Sequence, residues 1–567
     1  MAYQPSNVGK KVLNKYLSKG KLNALTPPSY LPPLQKPVEY LTYIVALLSI
    51  PAYQWWGGWG TTWCLVLAAI LFGINDVFIQ DDHTITRIYG PFGRLRYLFE
   101  NVFRDKYLQY FNETNTDGRP IPKIVRDYIY QKAKGYKSMS SFGTELDIYD
   151  SENTTYARIL HRNFPGTPPE TSYGFEIGEK RSGVKPFKVI STINVSAMSY
   201  GALNYKACET VSLGAKEIAF VNTGEGGFGP HGIAGNDCVW QLGTGKFGAG
   251  KDATLSNGDT SRVLDEQLLV DTIKKHDNIK MIELKISQGA KPSLGGHLPG
   301  SKVTEPIADV RKVPVGKTVI SPPQQAELIA ATPKESVAKL MDFCKKIREL
   351  TELPVGIKLC VGQLAEMDLL VEAMKVTGEG PDAIQVDGSD GGTGAAPNLY
   401  LNYVGYGGAI ETIALLDKKF KNAGIRDKVI LNASGRLFTP AHAALAFAYG
   451  ADTIETARAI MLSIGCIQAL KCHTNECPTG ITTNNAWRMH GINIPEKATR
   501  VHSYLSGFHH DMMGLTKSLG HNDPRDITRE DVRVITDKVH FASFFEEDPF
   551  GVFLPTPQKM QEDAVNS

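Results

Sequence analysis

Three cysteines near the C-terminal end of the sequence have the spacing that most clearly suggests chemistry. Cys466, Cys472 and Cys477 stand in the run GCIQALKCHTNECPTG, with the spacing C-x5-C-x4-C. Soft thiolate ligands bind iron–sulfur clusters, and a short loop can enclose a small cluster. Spacing alone leaves three interpretations: an iron–sulfur cluster, a zinc site with His473 as the fourth ligand, or a disulfide.

Two further motifs carry residues suited to catalysis. NTGEGG surrounds one carboxylate, Glu225, with glycines, and KISQGAKPSLGG carries Gln288 and Lys291, with Arg311 following. Because lysine and arginine both bind carboxylates, and arginine does so bidentately, the pair would suit a dicarboxylate. We therefore expect these four residues to bind and convert the substrate. Any one of them alone could instead form a surface salt bridge.

The remaining motifs suit a cofactor with a flat ring and an anionic group. SAMSYGAL would let a ring lie against the backbone, and Lys358 in GIKLCV would place a cation beside it. DGSDGGTGAAP and ASGRL offer glycine backbone N–H groups, which bind anions. The candidate cofactor-binding residues in these motifs, in NTGEGG and after the last strand are Ser196, Met198, Ser199, Asn222, Thr223, Lys358, Gly391, Gly392, Gly435, Arg436 and Arg458.

These motifs need elements that bring them together. Between about residues 166 and 520, eight β-rich runs are each followed by a loop and a helical stretch. Eight such units predict a (β/α)8 TIM barrel, an α/β fold in which the motifs meet at the carboxyl ends of the strands. An open doubly wound sheet is the alternative. The runs are 189–197, 217–224, 239–244, 281–287, 355–361, 383–388, 429–434 and 452–457.

Composition bounds the remaining possibilities. The chain has 567 residues, of which 42% are hydrophobic and 21% charged, and its net charge is +2. It is too long for one ordinary domain, and without a strong basic excess we expect no nucleic-acid binding. The predicted organisation is a polar N-terminal segment (1–37), a two-span transmembrane hairpin (38–79), a helical connecting subdomain (80–165), the barrel (166–520) and a C-terminal tail (521–567).

The predicted hairpin rests on an uncharged, apolar run over residues 40–75. One span needs about 20 residues, so this run is long enough for two, with a turn near Gly57 and Gly58 where tryptophans cluster. Lysines precede the run and arginines follow it, which predicts that both ends, and the barrel, lie on the cytoplasmic side of a membrane. A buried helix pair and one long tilted span are the alternatives.

The motifs together resemble a known family. NTGEGG, KISQGAKP followed by LPG-x-KV, SPP, DG-x-DGGTGA and GC-x5-CH-x-N-x-CP-x-G resemble the FMN-binding synthase domain of glutamate synthase. The overall layout is similar to the shorter bacterial proteins that carry this domain. The resemblance implies FMN at the mouth of a TIM barrel and a 3Fe-4S cluster on Cys466, Cys472 and Cys477. It also implies 2-oxoglutarate bound by Gln288, Lys291 and Arg311, with Glu225 near the reacting carbon.

The expected activity is therefore reductive formation of L-glutamate from 2-oxoglutarate and ammonia. The chain begins with Met1 and Ala2 rather than the N-terminal cysteine of a glutaminase domain, so we expect ammonia to arrive free or from a separate subunit. Ferredoxin, a partner reductase subunit and membrane quinol are all possible electron donors. The family's KPGEGGQLPG is KPSLGGHLPG here, so another 2-oxo acid or amine, such as an N-substituted glutamate, is the alternative substrate. A non-catalytic membrane-tethered subunit is the third hypothesis.

Overall fold

The computed structural model describes most of the chain. The described residues are 37–79, 88–99, 103, 107, 109–114, 116–139, 142–146, 157–164, 173–254, 260–286 and 294–534. The chain divides into two compact units. The first comprises Met1–Glu113 with Ile467–Ala469, and the second comprises Thr114–Cys466 with Leu470–Ser567.

Eight parallel strands of the second unit close into a barrel, which confirms the predicted (β/α)8 architecture. Each strand overlaps one of the eight predicted runs, and the last strand pairs with the first, with Ile454 opposite Ile193, so the open-sheet alternative is wrong. The strands are β1 (Ile193–Val195), β2 (Val221–Asn222), β3 (Cys238–Leu242), β4 (Ile279–Lys285), β5 (Val355–Leu359), β6 (Ala383–Asp387), β7 (Ile430–Ser434) and β8 (Thr453–Thr456).

Helices cover the outside of the barrel, as parallel strands buried on both faces require. Apolar side chains such as Ile357, Ile384 and Leu431 are fully buried in one large core that also contains helix residues. The α-helices of this unit are Lys123–Ala133, Tyr205–Ala215, Pro230–Ile233, Glu266–Lys275, Glu305–Arg311, Pro333–Thr351, Leu364–Thr377, Asn398–Tyr403, Ala409–Ala423, Pro440–Ala448, Arg458–Ser463, Ala486–Met489 and Ile494–Ser518.

Short antiparallel pairs flank the barrel. Gly250–Thr254 pairs with Thr260–Leu264, Phe175–Ile177 with Phe187–Val189, and His297–Leu298 with Val319–Ile320. The predicted C-terminal tail begins with ordered structure, since Val532–Val534 pairs with Ala157–Ile159. The remainder of the tail, from residue 535, and the polar segment 1–36 lie outside the described residues.

The first unit is built around two apolar helical arms, residues 37–56 and residues 58–79, which meet at Gly57. Helix Pro37–Leu47 is followed directly by helix Ser49–Ile74, and Gly57 has φ +59° and ψ −156°, which no helix adopts. The helix is therefore broken at Gly57, where the sequence predicts a turn. Thr61 Oγ1 donates to the Ser49 carbonyl across this break at 3.2 Å, so the two arms lie side by side.

The second arm ends at a buried ion pair. Asp76 is fully buried and accepts hydrogen bonds from Arg94, at 2.8 Å from Nε, while the guanidinium lies 4.2 Å from the centre of the Phe72 ring. By length and composition, one helix of the described chain, Ser49–Ile79, is able to cross a membrane, and little of it is buried.

A buried charge network fixes the amino ends of β5 and β6. Asp382, at the start of β6, accepts from the Val355 backbone N–H at 2.8 Å and from Arg181 Nε at 2.8 Å. Arg348 Nη2 lies 3.3 Å from the same carboxylate. Asp382 and Arg348 are almost completely buried, so their charges need compensation, to which Glu379, 3.0 Å from Arg348 Nη1, also contributes.

We predict that Asp382→Ala strongly destabilises the barrel. The substitution removes one of the two carboxylates that compensate the buried Arg348 guanidinium, the other being Glu379 at 3.0 Å, and removing one partner of a buried pair costs up to about 3–5 kcal/mol. The unfolding midpoint in urea measures the effect. Asp427→Asn, which removes the exposed Lys180–Asp427 pair, is the matched control and should leave the midpoint unchanged. Equal midpoints for Asp382→Ala and the control would contradict the proposed role of the network.

Candidate active site

The carboxyl ends of the barrel strands bring the predicted motifs to one mouth. Ser196 follows β1, Asn222 ends β2, Lys358 lies in β5, and Ser434 ends β7. Ser196 Oγ lies 3.4 Å from Ser434 Oγ, although 238 residues separate them in the chain. Barrel closure therefore joins the first and seventh motifs, as the sequence predicts.

The first two loops pack against each other through glycine. Gly224 has φ +67°, and a Cβ added there would lie 2.6 Å from the Ser199 backbone nitrogen. A Cβ on Gly226 would lie 2.6 Å from the Tyr200 carbonyl oxygen. Both distances are too short for any side chain, so the glycines of NTGEGG allow it to rest on SAMSYGAL. The backbone of Ser199 is thereby fixed beside Glu225.

Glu225 forms an acid–base pair with a lysine at the end of β4. Lys285 Nζ lies 3.5 Å from Glu225 Oε1, and the two side chains are only 11% and 13% exposed. Burial lowers the pKa of Lys285, and the neighbouring Lys358 adds to this, while Glu225 acts in the opposite direction. A lysine with a lowered pKa beside a carboxylate can give and take a proton more readily than an ordinary lysine.

Lys358 is the central charge of the barrel interior. Its Nζ lies 3.0 Å from Asp387 Oδ2, and the side chain is 6% exposed. Burial acts to lower the pKa of Lys358, but Asp387, Glu283 and Glu455 outweigh this effect and raise it above its usual value. Lys358 is therefore held in its charged form by these carboxyl groups, and its place near a bound ring stays a prediction.

Two carboxyl groups lie below Lys358 within the barrel. Glu283 Oε1 accepts from Asn222 Nδ2 at 2.8 Å and from Gln241 Nε2 at 2.6 Å. Glu455 Oε1 accepts from Asn432 Nδ2. Burial, followed by the proximity of Glu283, raises the pKa of Glu455 well above its usual value, while Lys358 acts in the opposite direction. Asn222, predicted to bind a cofactor, is thus already engaged within this network.

Arg311 supports the first loop from below. Its Nε and Nη2 donate to the Tyr200 carbonyl oxygen at 3.1 and 2.7 Å, and its guanidinium lies 4.9 Å from the centre of the Phe247 ring. The side chain is 4% exposed, and burial lowers its pKa to about 10. These two donors hold the backbone of the loop, which the sequence did not predict.

Two of the predicted substrate residues cannot be located. Gln288 and Lys291 lie outside the described residues, which stop at Ile286 and resume at Leu294.

Met198 is buried at the mouth, and Thr223 Oγ1 accepts from the Gln241 backbone N–H at 3.1 Å. Thr223 therefore ties the second strand to the third.

The loops after β6, β7 and β8 converge on one buried carboxylate, Asp390. The Arg458 guanidinium donates to the Asp390 carbonyl oxygen at 3.1 Å and packs on Gly392, where a Cβ would lie 3.1 Å from Arg458 Cδ. Gly435 has φ +146°, and a Cβ there would lie 2.6 Å from Asp390 Oδ1. Arg436 has φ +49° and donates to the Pro120 carbonyl oxygen.

These three loops have the chemistry of an anion site. Burial raises the pKa of Asp390, while the charges of Arg458 and Arg436 act to lower it. The Oδ1 atom of Asp390 is buried without a hydrogen-bond partner. Gly391 turns the loop, its N–H donating to the Gly388 carbonyl at 2.9 Å. Two guanidinium groups beside glycine backbone thus stand where barrels commonly bind a phosphate.

The predicted cysteine ligands lie in a loop of their own. Cys477 Sγ lies 3.5 Å from Thr479 Oγ1. Burial, followed by the nearby Cys477, raises the pKa of Cys472, while the hydroxyl of Thr482 acts in the opposite direction. Burial acts to raise the pKa of Cys477 as well, but the donors of Thr479 and Thr482 outweigh it and lower the pKa.

The surroundings of the thiols fit a sulfur-rich group. Thr482 Oγ1 is buried without a conventional hydrogen-bond partner, so it is a donor that a thiolate or sulfide would satisfy. The third cysteine, Cys466, is half-buried, and its carbonyl accepts from Tyr130 Oη at 2.7 Å. Within the described ranges, no three His, Cys, Asp or Glu side chains form a group suited to one metal ion, and this holds for the three cysteines alone as it does for a set with His473.

Sequence reasoning missed five charged residues of this site. Four of them share one signal, a charge within one of the predicted strand runs, which predicted a role only for Lys358. MIELKIS contains two of these four charges, and AIQVDG and DTIETA contain one each. The missed residues are Glu283, Lys285, Lys302, Asp387 and Glu455.

Comparisons with known proteins agree with this geometry. Residues 159–522 match the family described as the conserved region in glutamate synthase. The glutamate synthase large subunit-like protein YerD of Bacillus subtilis is 33% identical over 534 residues, which cover 87% of this chain and 95% of that protein.

Two further relatives are matched over part of their length. The archaeal glutamate synthase [NADPH] of Archaeoglobus fulgidus is 32% identical over 62% of this chain and 63% of its own length. The ferredoxin-dependent glutamate synthase of Cyanidium caldarium is 33% identical over 68% of this chain and 24% of its own length. The family match spans the whole barrel and the cysteine loop, and the chain therefore belongs to the glutamate synthase family of oxidoreductases.

Proposed function

We propose that this protein binds FMN and a 3Fe-4S cluster and reduces the imine of 2-oxoglutarate and ammonia to L-glutamate. The observation that carries the proposal is the Glu225–Lys285 pair, 3.5 Å apart at the mouth of the barrel and close to the cation of Lys358. Reduction of an imine needs a hydride at carbon and a proton at nitrogen. The pair is suited to supply the proton at the point where the first two loops meet.

The residues at the mouth fit FMN. The loops of Gly391, Gly392, Gly435, Arg436 and Arg458 would hold its phosphate, and Lys358 would lie near its ring, beside the backbone of Ser196 and Ser199. The cysteines Cys466, Cys472 and Cys477 would hold the cluster. When bound, FMN supplies hydride transfer and the cluster supplies single electrons.

Carboxylate binding falls to the loop after β4. Lys291 and Gln288 belong to this loop, and Arg311 supports the neighbouring first loop. Leu294 and His297 replace the family's glutamate and glutamine in it, and His297 is exposed. A substrate panel of 2-oxo acids and amines, including N-substituted glutamates, separates 2-oxoglutarate from the second candidate. Reduced ferredoxin and a reductase using NADPH are the donors to compare, because relatives are named for both.

We expect the protein purified anaerobically to contain FMN, with iron and sulfide in a ratio of about 3:4. Cys477→Ser should lose the iron and sulfide and keep the flavin, because the flavin loops lie on other strands. Cys64→Ser is the matched control, since Cys64 lies in the helical arms. Absorbance, iron and sulfide assays measure these contents. Wild-type protein without flavin would refute the proposed function.

The acid–base pair gives a prediction for the rate. Glu225→Gln should lower kcat by about 100-fold or more, the usual contribution of a positioned acid or base. Flavin content should not change. Glu179→Gln, at an exposed glutamate, is the control and should keep full activity.

The pH dependence follows from Lys285. Its pKa is lowered, so the protonated form is lost at a lower pH than for an ordinary lysine. We expect the rate of glutamate formation to fall as the pH rises through this lowered pKa. Lys285→Gln should abolish that alkaline limb and leave a low, flatter profile. A variant that retains the wild-type limb would show that another group titrates.

We also propose that the helical arms anchor the enzyme to the cytoplasmic face of a membrane. Each arm has about 20 residues, or about 30 Å of helix, which matches the hydrocarbon thickness. Trp55, Trp56, Trp59 and Trp63 are all largely exposed near the break at Gly57, as expected at a membrane interface.

The anchor is tested by extraction of membranes at alkaline pH. Wild-type protein should stay in the pellet. A double variant, Leu47→Arg with Leu67→Arg, places one charge in each arm, and inserting each charge into the membrane costs about 2.5–3.5 kcal/mol. This variant should move to the supernatant. Trp487→Arg, at an exposed tryptophan of the barrel unit, is the control. Retention of the double variant would contradict insertion.

A further inference from the structure

Lys302 is a buried cation that lies between the cysteine loop and the first loop of the mouth. Its Nζ donates to the Cys472 carbonyl oxygen at 3.3 Å and to the Ala202 carbonyl oxygen at 3.0 Å. Ala202 belongs to SAMSYGAL, so one ammonium group contacts both predicted cofactor sites. The side chain is 3% exposed, and none of the sequence motifs predicts a role for it.

The position of Lys302 is fixed by its neighbours. Its carbonyl oxygen accepts from Asn484 Nδ2 at 2.8 Å, and the preceding Ser301 carbonyl accepts from Asn475 Nδ2 at 3.3 Å. Asn475 and Asn484 flank Cys477 in the chain. The segment that carries Lys302 is thus held to the cysteine loop by its backbone as well as by its ammonium group.

Among the described residues, no Asp or Glu carboxylate forms an ion pair with Lys302. No carboxylate there therefore balances its charge. The charged and ionisable groups around Nζ are the thiols of Cys472, Cys477 and Cys208 and the guanidinium of Arg311, which repels it. Burying an ammonium group costs several kcal/mol unless an anion compensates. Two carbonyl oxygens satisfy hydrogen bonds but carry no net charge. The site therefore calls for an anion near the thiols.

We infer that Lys302 is the counter-ion of the cysteine site, and that its charge favours the reduced state of the group held there. The inference rests on the proposed function, since the anion is the set of thiolates with the cluster that they would hold. One electron taken up from the donor adds one negative charge, and a fixed cation nearby stabilises that added charge. Because Nζ also holds Ala202, Lys302 is a positioning residue on the route between the cysteines and the mouth.

The test uses the full-length protein purified anaerobically, with four proteins compared: wild type, Lys302→Met, Lys302→Arg and the control Lys317→Met. Lys317 is exposed and follows Lys302 by 15 positions. An electron paramagnetic resonance titration gives the equilibrium constant for cluster reduction, and assays give iron, sulfide and flavin.

For Lys302→Met we expect the constant to fall by about tenfold, which is about 59 mV for one electron. Lys302→Arg keeps the charge, so its equilibrium constant for cluster reduction should stay within about threefold of the wild-type value. That corresponds to about half of the potential shift expected for Lys302→Met. Lys317→Met should match wild type. Loss of iron in Lys302→Met alone, with full loading in Lys302→Arg, would also support the inference, because only charge separates the two variants.

Three outcomes would overturn it. The first is an unchanged constant in a fully loaded Lys302→Met protein. The second is an equal loss of iron in Lys302→Met and Lys302→Arg, which would assign the effect to shape. Both leave the proposed function intact. The third is wild-type protein that contains no iron or sulfide, which refutes the proposed function itself and removes the counter-ion with it.

Discussion

The charge of Lys358 inside a closed barrel is the constraint on which the site depends. A buried ammonium group must be compensated, and here Asp387 lies 3.0 Å away while Glu283 and Glu455 lie below. These groups come from β4, β5, β6 and β8, so they meet only after the barrel closes. Each carboxyl then needs its own partners, which Asn222, Gln241 and Asn432 provide. One buried cation thus accounts, directly or through its carboxyl neighbours, for polar side chains on seven of the eight strands.

Because polar side chains fill the barrel interior, apolar burial there contributes less to the stability of the barrel. Other parts of the barrel must therefore contribute more of that stability. The outer faces of the strands supply part of it, through one large cluster of buried apolar side chains shared with the helices. The amino ends of the strands supply another part, through the Asp382 network with Arg348 and Arg181. The two ends of the barrel therefore use charge differently. At the amino ends the charges join neighbouring elements, whereas at the carboxyl ends the Lys358–Asp387 and Lys285–Glu225 pairs surround the mouth.

The fold was predictable from the sequence because each strand run is short, β-rich and followed by a loop and a helical stretch, and all eight runs became barrel strands in order. The site was predictable where glycine marked a loop, as in NTGEGG. It was not predictable where a residue's role depends on its partner. Arg311 was expected to face substrate but holds the Tyr200 carbonyl, 111 positions away. Glu283 and Glu455 contact residues on other strands, and no local pattern contains those partners.

The first loop shows how separate parts of the site are mechanically joined. SAMSYGAL is contacted by Gly224 and Gly226 of the second loop, by Arg311 from below and by Lys302 from the cysteine side. Asn204, just after it, donates to the Thr483 carbonyl at 2.8 Å, beyond the last cysteine. A displacement of the cysteine loop therefore displaces the loop that also holds Ser199 beside Glu225. Because these contacts are hydrogen bonds to fixed backbone rather than flexible surface pairs, the distance between the cysteines and the mouth is set by the fold itself.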